Sequence, residues 1–231
     1  IGGGINNTAN STSAAVAGGN GNAASNSYAT VAGGSNNNAS GSYSFAAGDG
    51  AQAAATSTAA FGYFARADGT YSTAMGYYSD ARLRYDVLVI GANGIANSSP
   101  GSCQTSIMQV GAQTTSATPR VLTGTLSTSY VNQNRMDPNS AYAFKVMLIA
   151  GVTGGGDTKA WELTGCIKRG ASGVPTLVGT VTKTVIAADT GASTWDCDIV
   201  MNTDAFTVQA TGQASTTIRW SASIYSSEFD Y

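Results

Sequence analysis

The sequence predicts an all-β chain: a parallel β-roll of 14–15-residue repeats, followed by an antiparallel, jelly-roll-like β-sandwich. Three observations carry that prediction. Glycine recurs at Gly3, Gly18, Gly33, Gly48, Gly62 and Gly76, in steps of 15, 15, 15, 14 and 14 residues. Other residues keep its phase: Val16, Val31, Ala46, Ala60 and Ala74 stand two positions before the glycine, and Tyr28, Tyr43 and Tyr71 five before it. Past residue 103 the repeat gives way to strict apolar/polar alternation, the period of a strand with one buried face.

Residues 1–81 are read as the roll. A repeat this short is one coil of a solenoid and buries no core by itself. Each coil holds two short strands between turns of Gly, Asn and Ser, which tolerate positive φ or bond to nearby backbone. Small Ala and Val at the inward positions imply a thin core. From Ile1 to Ala65 the only charged residue is Asp49, and Pro, Glu and Lys, which mark disordered tracts, are absent there. A ladder with so thin a core needs lateral packing against copies of itself, which a cyclic oligomer supplies.

Residues 82–103 are read as a neck or linker. Asp80, Arg82, Arg84 and Asp86 form an abrupt charge cluster, suited to ion pairs between chains. Val87–Ile90 is a short strand running into glycines. It resembles the opening of a dinucleotide site, but Asn97 stands where a third glycine is required and Pro100 follows where a helix must start. A strand and turn is the simpler account.

Residues 104–231 are read as the sandwich. Strands are expected near 105–111, 120–126, 142–152, 160–169, 176–187 with a break at Gly179, 195–201, 205–211 and 216–226. Trp161, Leu163 and Ile167 share one face; so do Trp195, Cys197, Ile199 and Met201, and Ile218, Trp220, Ala222 and Ile224, the last four alternating with Arg219, Ser221 and Ser223. One polar and one apolar face per strand means antiparallel sheets.

Composition narrows the function. The chain has 231 residues, a net charge of −2 and 10% charged residues, so no polyanion surface is expected and nucleic acid is not a partner. No apolar run approaches a membrane span. Ile1 is not a start residue, so the sequence reads as a piece of a longer or processed chain, with further contacts expected through a missing N-terminus. Histidine is absent, which removes His-based nucleophile and metal sites. Three cysteines, Cys103, Cys166 and Cys197, make no disulfide framework and read as small buried hydrophobes.

Individual motifs have ordinary readings beside functional ones. Gly154-Gly155-Gly156-Asp157 has the makings of an anion cradle, yet flanking strands make it a hairpin loop. Asp196 and Asp198 share a strand face near Asp204, a pattern that binds a hard cation, acts as acid and base, or simply makes a solvated or intersubunit polar face. The Asn-X-Ser/Thr patterns at Asn6, Asn10, Asn38 and Asn97 are expected by chance in so Asn- and Ser-rich a chain. Tyr28, Tyr43 and Tyr71 should line up along the roll, joined by Tyr63, Phe64, Tyr77 and Tyr78; such rings suit sugar stacking, or packing between chains and shielding of coils. The run Tyr225–Tyr231 is read as a cap or an exposed contact.

Two resemblances add to this reading. Ser13–Gly18 (SAAVAG), Ser42–Gly48 (SYSFAAG), Ser57–Gly62 (STAAFG) and Ser72–Gly76 (STAMG) resemble the head repeats of trimeric autotransporter adhesins. That implies a left-handed roll and an intertwined homotrimer, although no heptad stalk or membrane barrel follows in this sequence. Pro138–Phe144 (PNSAYAF), Ala160–Gly170 (AWELTGCIKRG), Leu177–Thr180 (LVGT), Ala188–Asp196 (ADTGASTWD) and Thr211–Ala222 (TGQASTTIRWSA) resemble a C-terminal domain of bacteriophage tail fibres. This implies a virion tail fibre that attaches to a bacterial cell-surface glycan or outer-membrane receptor and joins other tail proteins. The expected receptor contacts are Asn134, Arg135, Asp157, Lys159, Thr190 and Ser193, in loops 132–140, 152–159, 170–174 and 188–194, with Tyr28, Tyr43 and Tyr71. No cofactor, metal or catalytic residue is expected. The roll carries only Asp49, Asp68 and Asp80, so a non-enzymatic fibre is expected over a depolymerase. A bacterial surface adhesin and a purely structural shaft and trimer clamp are the alternatives.

Overall fold

The computed structural model describes residues 1–92, 99–124 and 133–231. Gly94 and Asn97, with the Asn97-Ser98-Ser99 pattern, and the end of the strand expected over 120–126 fall wholly or partly outside the described residues. The chain divides into two compact units, Ile1–Ser106 with Glu228–Asp230, and Ile107–Ser227 with Tyr231. Among the described residues there is no α-helix, only a single 3-10 turn at Thr190–Ala192.

The first unit is a β-solenoid of about 6 turns. One ladder stacks Ala15–Val16, Thr30–Ser35, Phe45–Asp49, Ala59–Tyr63, Thr73–Tyr77 and Val87–Gly91, all parallel. The other stacks Thr8–Ala9, Ala23–Ala24, Asn38–Ala39, Gln52–Ala53 and Arg66–Ala67. Val87–Gly91 is thus a further rung of the roll. Between the ladders lies a core of small side chains: Val16, Val31, Ala46, Ala60 and Ala74 from one, and Ala24, Ala39, Ala53 and Ala67 from the other, each no more than 2% exposed.

Two backbone corners close each coil in the left-handed region. Ser13, Tyr28, Tyr43, Ser57, Tyr71 and Asp86 form one column, and Asn6, Gly21, Asn36, Gly50, Phe64 and Tyr78 the other, all with φ between 49° and 69°. From the second coil on, the corner amides bond to the rung before, as Tyr43 does to the Ser27 carbonyl at 3.0 Å and Tyr78 to that of Tyr63 at 2.9 Å. The glycine stack differs from the sequence beat in its first half. The register partners are Gly34, Gly48, Gly62, Gly76 and Gly91. A register shift after Val31 absorbs one residue, so Gly33 faces Ala47 and stands one place before the column. That shift accounts for the change from 15- to 14-residue steps.

An asparagine ladder runs through the early coils. Asn22 and Asn37 are buried; the Asn37 amide donates to Asn22 Oδ1 at 3.0 Å, and the Ala51 amide to Asn37 Oδ1 at 2.9 Å. Their Nδ2 groups cross-link rungs, Asn37 reaching the Gly33 and Gly48 carbonyls at 2.9 and 2.7 Å. Each side chain therefore satisfies backbone groups that the tight corner leaves unpaired.

The two arginines of the charge cluster are paired within the chain. Arg84 is fully buried; its Nη1 lies 2.6 Å from Glu228 Oε1 and its Nη2 3.2 Å from Oε2. Gln104 donates to Glu228 Oε2 at 2.7 Å, and Ser106 to Oε1. Arg82 Nη2 binds Asp230 at 2.9 Å and the Gly101 carbonyl at 2.6 Å. Burial pushes the Glu228 carboxyl up, but the charge and hydrogen bond of Arg84, with Arg82 and Ser106, outweigh it and hold it below the usual range.

Asp80 goes the other way. Burial, then the Asp68 charge, raises it to about 6 against the Arg82 amide bond and the Arg66 and Arg82 charges. Its folded pKa lies above the unfolded one, so it contributes stability at low pH that is lost as pH rises through about 6. The wild-type melting temperature should therefore rise between pH 7 and pH 5, and Asp80→Asn should lack that rise, a difference of about 1.3 kcal/mol over that range. Thermal melts followed by circular dichroism across that range check it; parallel profiles for the two proteins would refute it.

In the second unit, the strand order is Thr176–Leu177, Thr158–Arg169, Ser140–Val152, then the parts of Ile218–Asp230 up to Ser227 and of Cys103–Thr114 from Ile107, with Thr182–Ala188 also pairing on Thr158–Arg169. The break at Gly179 falls between Thr176–Leu177 and Thr182–Ala188. A smaller antiparallel sheet places Arg120–Val121, Asn134–Arg135 and Asp196–Asn202 around Ala205–Thr211. The apolar faces of the two sheets meet in an aromatic cluster. Phe206 lies 5.2 Å from Phe144, and Trp220 lies 5.8 Å from Trp161 and 6.1 Å from Trp195. Ile199 and Met201 are only half-buried, so the alternation weakens at that end. The three cysteines are unbridged, and burial pushes the Cys197 thiol up to about 12, fitting a packing role.

Candidate functional site

The long hairpin sorts the four loops into two pairs. Ser140 opposes Arg169 at one end of the Ser140–Val152 and Thr158–Arg169 pair, and Gly151 opposes Thr158 at the other. Loops 132–140 and 170–174 meet at the first end, where the Asn139 amide binds the Gly170 carbonyl at 3.1 Å and Arg169 reaches the Met136 carbonyl. Loops 152–159 and 188–194 meet at the second, through the Thr158 amide on Asp189 Oδ2 at 2.9 Å. Eleven steps along a strand separate the ends by about 35 Å, so no single small ligand spans all four loops.

The individual side chains divide further. Asn134 is fully buried and donates to Ser226 Oγ at 3.4 Å. Lys159 is buried too, its Nζ on the Trp195 carbonyl at 2.7 Å and 5.0 Å from the Trp161 ring. Neither side chain faces outward, because strand alternation turns both into the unit. Arg135 is half-exposed and paired with Asp204 at 2.7 Å. Asp157 is half-buried against the Gly191 backbone, while Thr190 and Ser193 are exposed. Asp196 and Asp198 do not await a cation: Lys183 Nζ lies 2.8 and 3.0 Å from their carboxylates. Burial opposes this arrangement, yet the Lys183 contacts hold Asp196 below its usual range and Lys183 above its own.

On the roll, Tyr28 and Tyr43 stack at 4.8 Å and 4° between planes. Those two rings cover each other's faces and shield successive coils. Tyr71 stands exposed without a ring partner among the described residues. Tyr63, Phe64, Tyr77 and Tyr78 form a second cluster, with Tyr63 on Tyr77 at 4.8 Å and Phe64 on Tyr78 at 5.5 Å.

The second unit also holds a cleft of about 960 Å³. Its walls include Gln109, Arg120, Thr123, Ile149, Arg219 and Ser221, with Trp220 beneath. Arg219 points outward from its strand, as alternation requires, and makes no hydrogen bond or ion pair among the described residues. Among the described residues Arg120 is held only by the Gln113 carbonyl at 2.8 Å. No carboxylate is among the described lining residues, and the sequence has no Asp or Glu from Val87 to Met136. Gln109 is fixed by Ser221 and Ser223 at 2.8 and 2.7 Å, giving the face a preset polar network. Two cations with no opposing anion, amides, hydroxyls and an aliphatic wall together fit a polar, negatively charged ligand. Alternation puts Arg219 on the outward face of its strand; it carries no signal for Arg120, which reaches the same cleft from the other sheet.

No family model matches the sequence, and no curated protein matches it. Among solved structures, the chain is similar to tailspike protein gp49 of Acinetobacter baumannii bacteriophage Fri1, a capsular polysaccharide depolymerase. The identity is 7% and the TM-score 0.34, over 93% of this chain and 36% of that one. It is also similar to the tailspike protein of Acinetobacter phage vB_ApiP_P1, at 10% identity and a TM-score of 0.24, over 94% of this chain and 45% of that one. The chain spans less than half the length of either tailspike. The expectation of a non-enzymatic chain does not stand against this finding, since gp49 is an enzyme.

Proposed function

We propose that the protein is a bacteriophage tail attachment protein that binds an acidic saccharide of the bacterial surface. The observation that carries this reading is the cleft, in which Arg219 and Arg120 face a ligand-sized space with no carboxylate to neutralise them. A guanidinium forks onto a sugar carboxylate with two parallel hydrogen bonds, and the sheet beneath holds it in place. The solenoid, with its core of alanine and valine, supports a shaft role within a homotrimer, and the second unit, read as a sandwich, supplies the receptor-binding part. Three such clefts on one particle bind by avidity, so a modest single-site affinity suffices. Other tail proteins engage the N-terminal side, and the location is the virion tail.

The test uses the full chain with an acidic capsular polysaccharide and with the carboxyl-reduced form of the same polymer. Wild type is expected to prefer the acidic polymer at least tenfold. Arg219→Gln should remove that preference, a loss of about 1.5 kcal/mol or more for a charge-assisted contact. Equal binding of the two polymers, or full discrimination by Arg219→Gln, rules out the cleft as receptor site. New reducing ends in the same incubations report whether the polymer is also cleaved.

A further inference from the structure

We propose that Tyr43 and Tyr71 form the two walls of a slot over Ser57 that takes one pyranose ring. Tyr43, Ser57 and Tyr71 occupy the same place on consecutive rungs, since Phe45, Ala59 and Thr73, two positions on in each, are register partners. Their φ angles are 58°, 55° and 62°, and their amides bond back to Ser27, Ser42 and Thr56 at 3.0, 2.8 and 3.1 Å. The column geometry is set by its occupied pair, Tyr28 stacked on Tyr43 at 4.8 Å with the ring planes nearly parallel. At Ser57 the same corner carries a side chain with no ring. Tyr43 and Tyr71 are therefore two rungs apart, about 10 Å.

That spacing holds one six-membered ring at stacking distance from each tyrosine. Tyr43 is 61% exposed and Tyr71 58%, so the slot opens to solvent. The chemistry of the walls selects the guest. A ring face is electron-rich and attracts C–H groups, which carry partial positive charge. A guest touched on both sides must offer C–H groups on both faces, so its hydroxyls must be equatorial. This is the β-gluco configuration. A sugar with an axial hydroxyl presents a polar group to one wall and loses that contact. The phenol and Ser57 hydroxyls at the rim are left to bind the equatorial groups.

The inference extends the attachment reading to a second site, and the two fail separately: the cleft is read with an acidic polymer, the slot with neutral tetrasaccharides. The experiment is calorimetric titration of the full chain with cellotetraose, whose hydroxyls are equatorial, and with β-1,4-mannotetraose, which has an axial hydroxyl on each ring. Cellotetraose is expected to bind at least tenfold more tightly than mannotetraose. Ser57→Tyr should abolish the binding while keeping or raising the melting temperature, because the new ring completes the Tyr28–Tyr43 stack through to Tyr71. Tyr71→Ser, which installs the side chain already tolerated at Ser57, should abolish binding with the fold intact. No binding of cellotetraose, equal binding of the two sugars, or unchanged binding by either variant overturns the slot. So does a change of solution mass in Ser57→Tyr, which would assign the space to packing between copies.

Discussion

Gly62→Ala is expected to destabilise the roll by at least about 3 kcal/mol. Two costs combine. At φ 127° the backbone is in a region that L side chains rarely adopt. A Cβ there would also lie 2.1 Å from the Gly76 carbonyl oxygen and 2.9 Å from its carbon. Backbone on the next rung cannot swing away as a side chain can, and moving it breaks the parallel pairing of Ala59–Tyr63 with Thr73–Tyr77. The clash repeats along the column, with Gly48 facing the Gly62 oxygen at 2.1 Å and Gly76 facing that of Gly91 at 2.5 Å. Gly3→Ala separates the two costs: φ there is 149°, yet nothing lies within 4 Å of the added carbon. Urea unfolding of the full chain should show a large loss for Gly62→Ala and a loss nearer 1 kcal/mol for Gly3→Ala. Equal losses would mean that the column is held by conformation alone and not by rung-to-rung approach.

The glycine period was legible because each coil needs one residue without a side chain where rungs meet. Its exact register was not, since Gly33 and Gly34 are both glycine and only the shift after Val31 decides between them. The left-handed corners were harder still. They accept Ser, Tyr, Asn, Gly, Phe and Asp alike, because the fixed hydrogen bonds of the stack impose the conformation. Asn22 and Asn37 read as turn residues in sequence, and only the stack shows them as a buried ladder. In the second unit, alternation placed Trp161, Trp220 and Ile224 inward because an antiparallel sheet with one covered face permits little else. It carried no information on which loops meet, which the strand register decides. The receptor candidates suffered from that gap: Asn134 and Lys159, read as loop residues, lie at inward positions of strands. The cleft arginines come from strands far apart in sequence, so their juxtaposition is a property of the topology.

Glu228→Ala should cost the first unit about 3–5 kcal/mol, the range for breaking a buried ion pair from one side. Arg84 is 0% exposed and Glu228 2%, so the variant leaves a buried guanidinium that has lost the carboxylate facing it. Gln104 Nε2 and Ser106 Oγ lose an acceptor in the same step. Arg84 would keep its bonds to the Ala81 carbonyl and Ser106 at 3.0 Å each, which limits the loss without neutralising the charge. Period two offered a signal for this site: Ile218, Trp220, Ala222 and Ile224 point inward, and the same count reaches Ser226 and Glu228. A carboxylate on the buried face demands a cation, and its partner lies 144 positions earlier in the chain. Glu228→Gln keeps the acceptor shape but not the charge, and should fall between wild type and alanine. The double replacement Arg84→Met with Glu228→Leu removes both charges together and should cost much less than Glu228→Ala, since paired apolar groups are tolerated where a lone ion is not. A double-mutant cycle by urea unfolding reads the coupling directly. If the double variant is as unstable as the sum of its single changes, Arg84 and Glu228 act independently and the buried pair does not hold the unit together. Since the carboxyl is held below its usual range, the coupling should persist at pH 5 and fade only as pH falls further, through the lowered pKa.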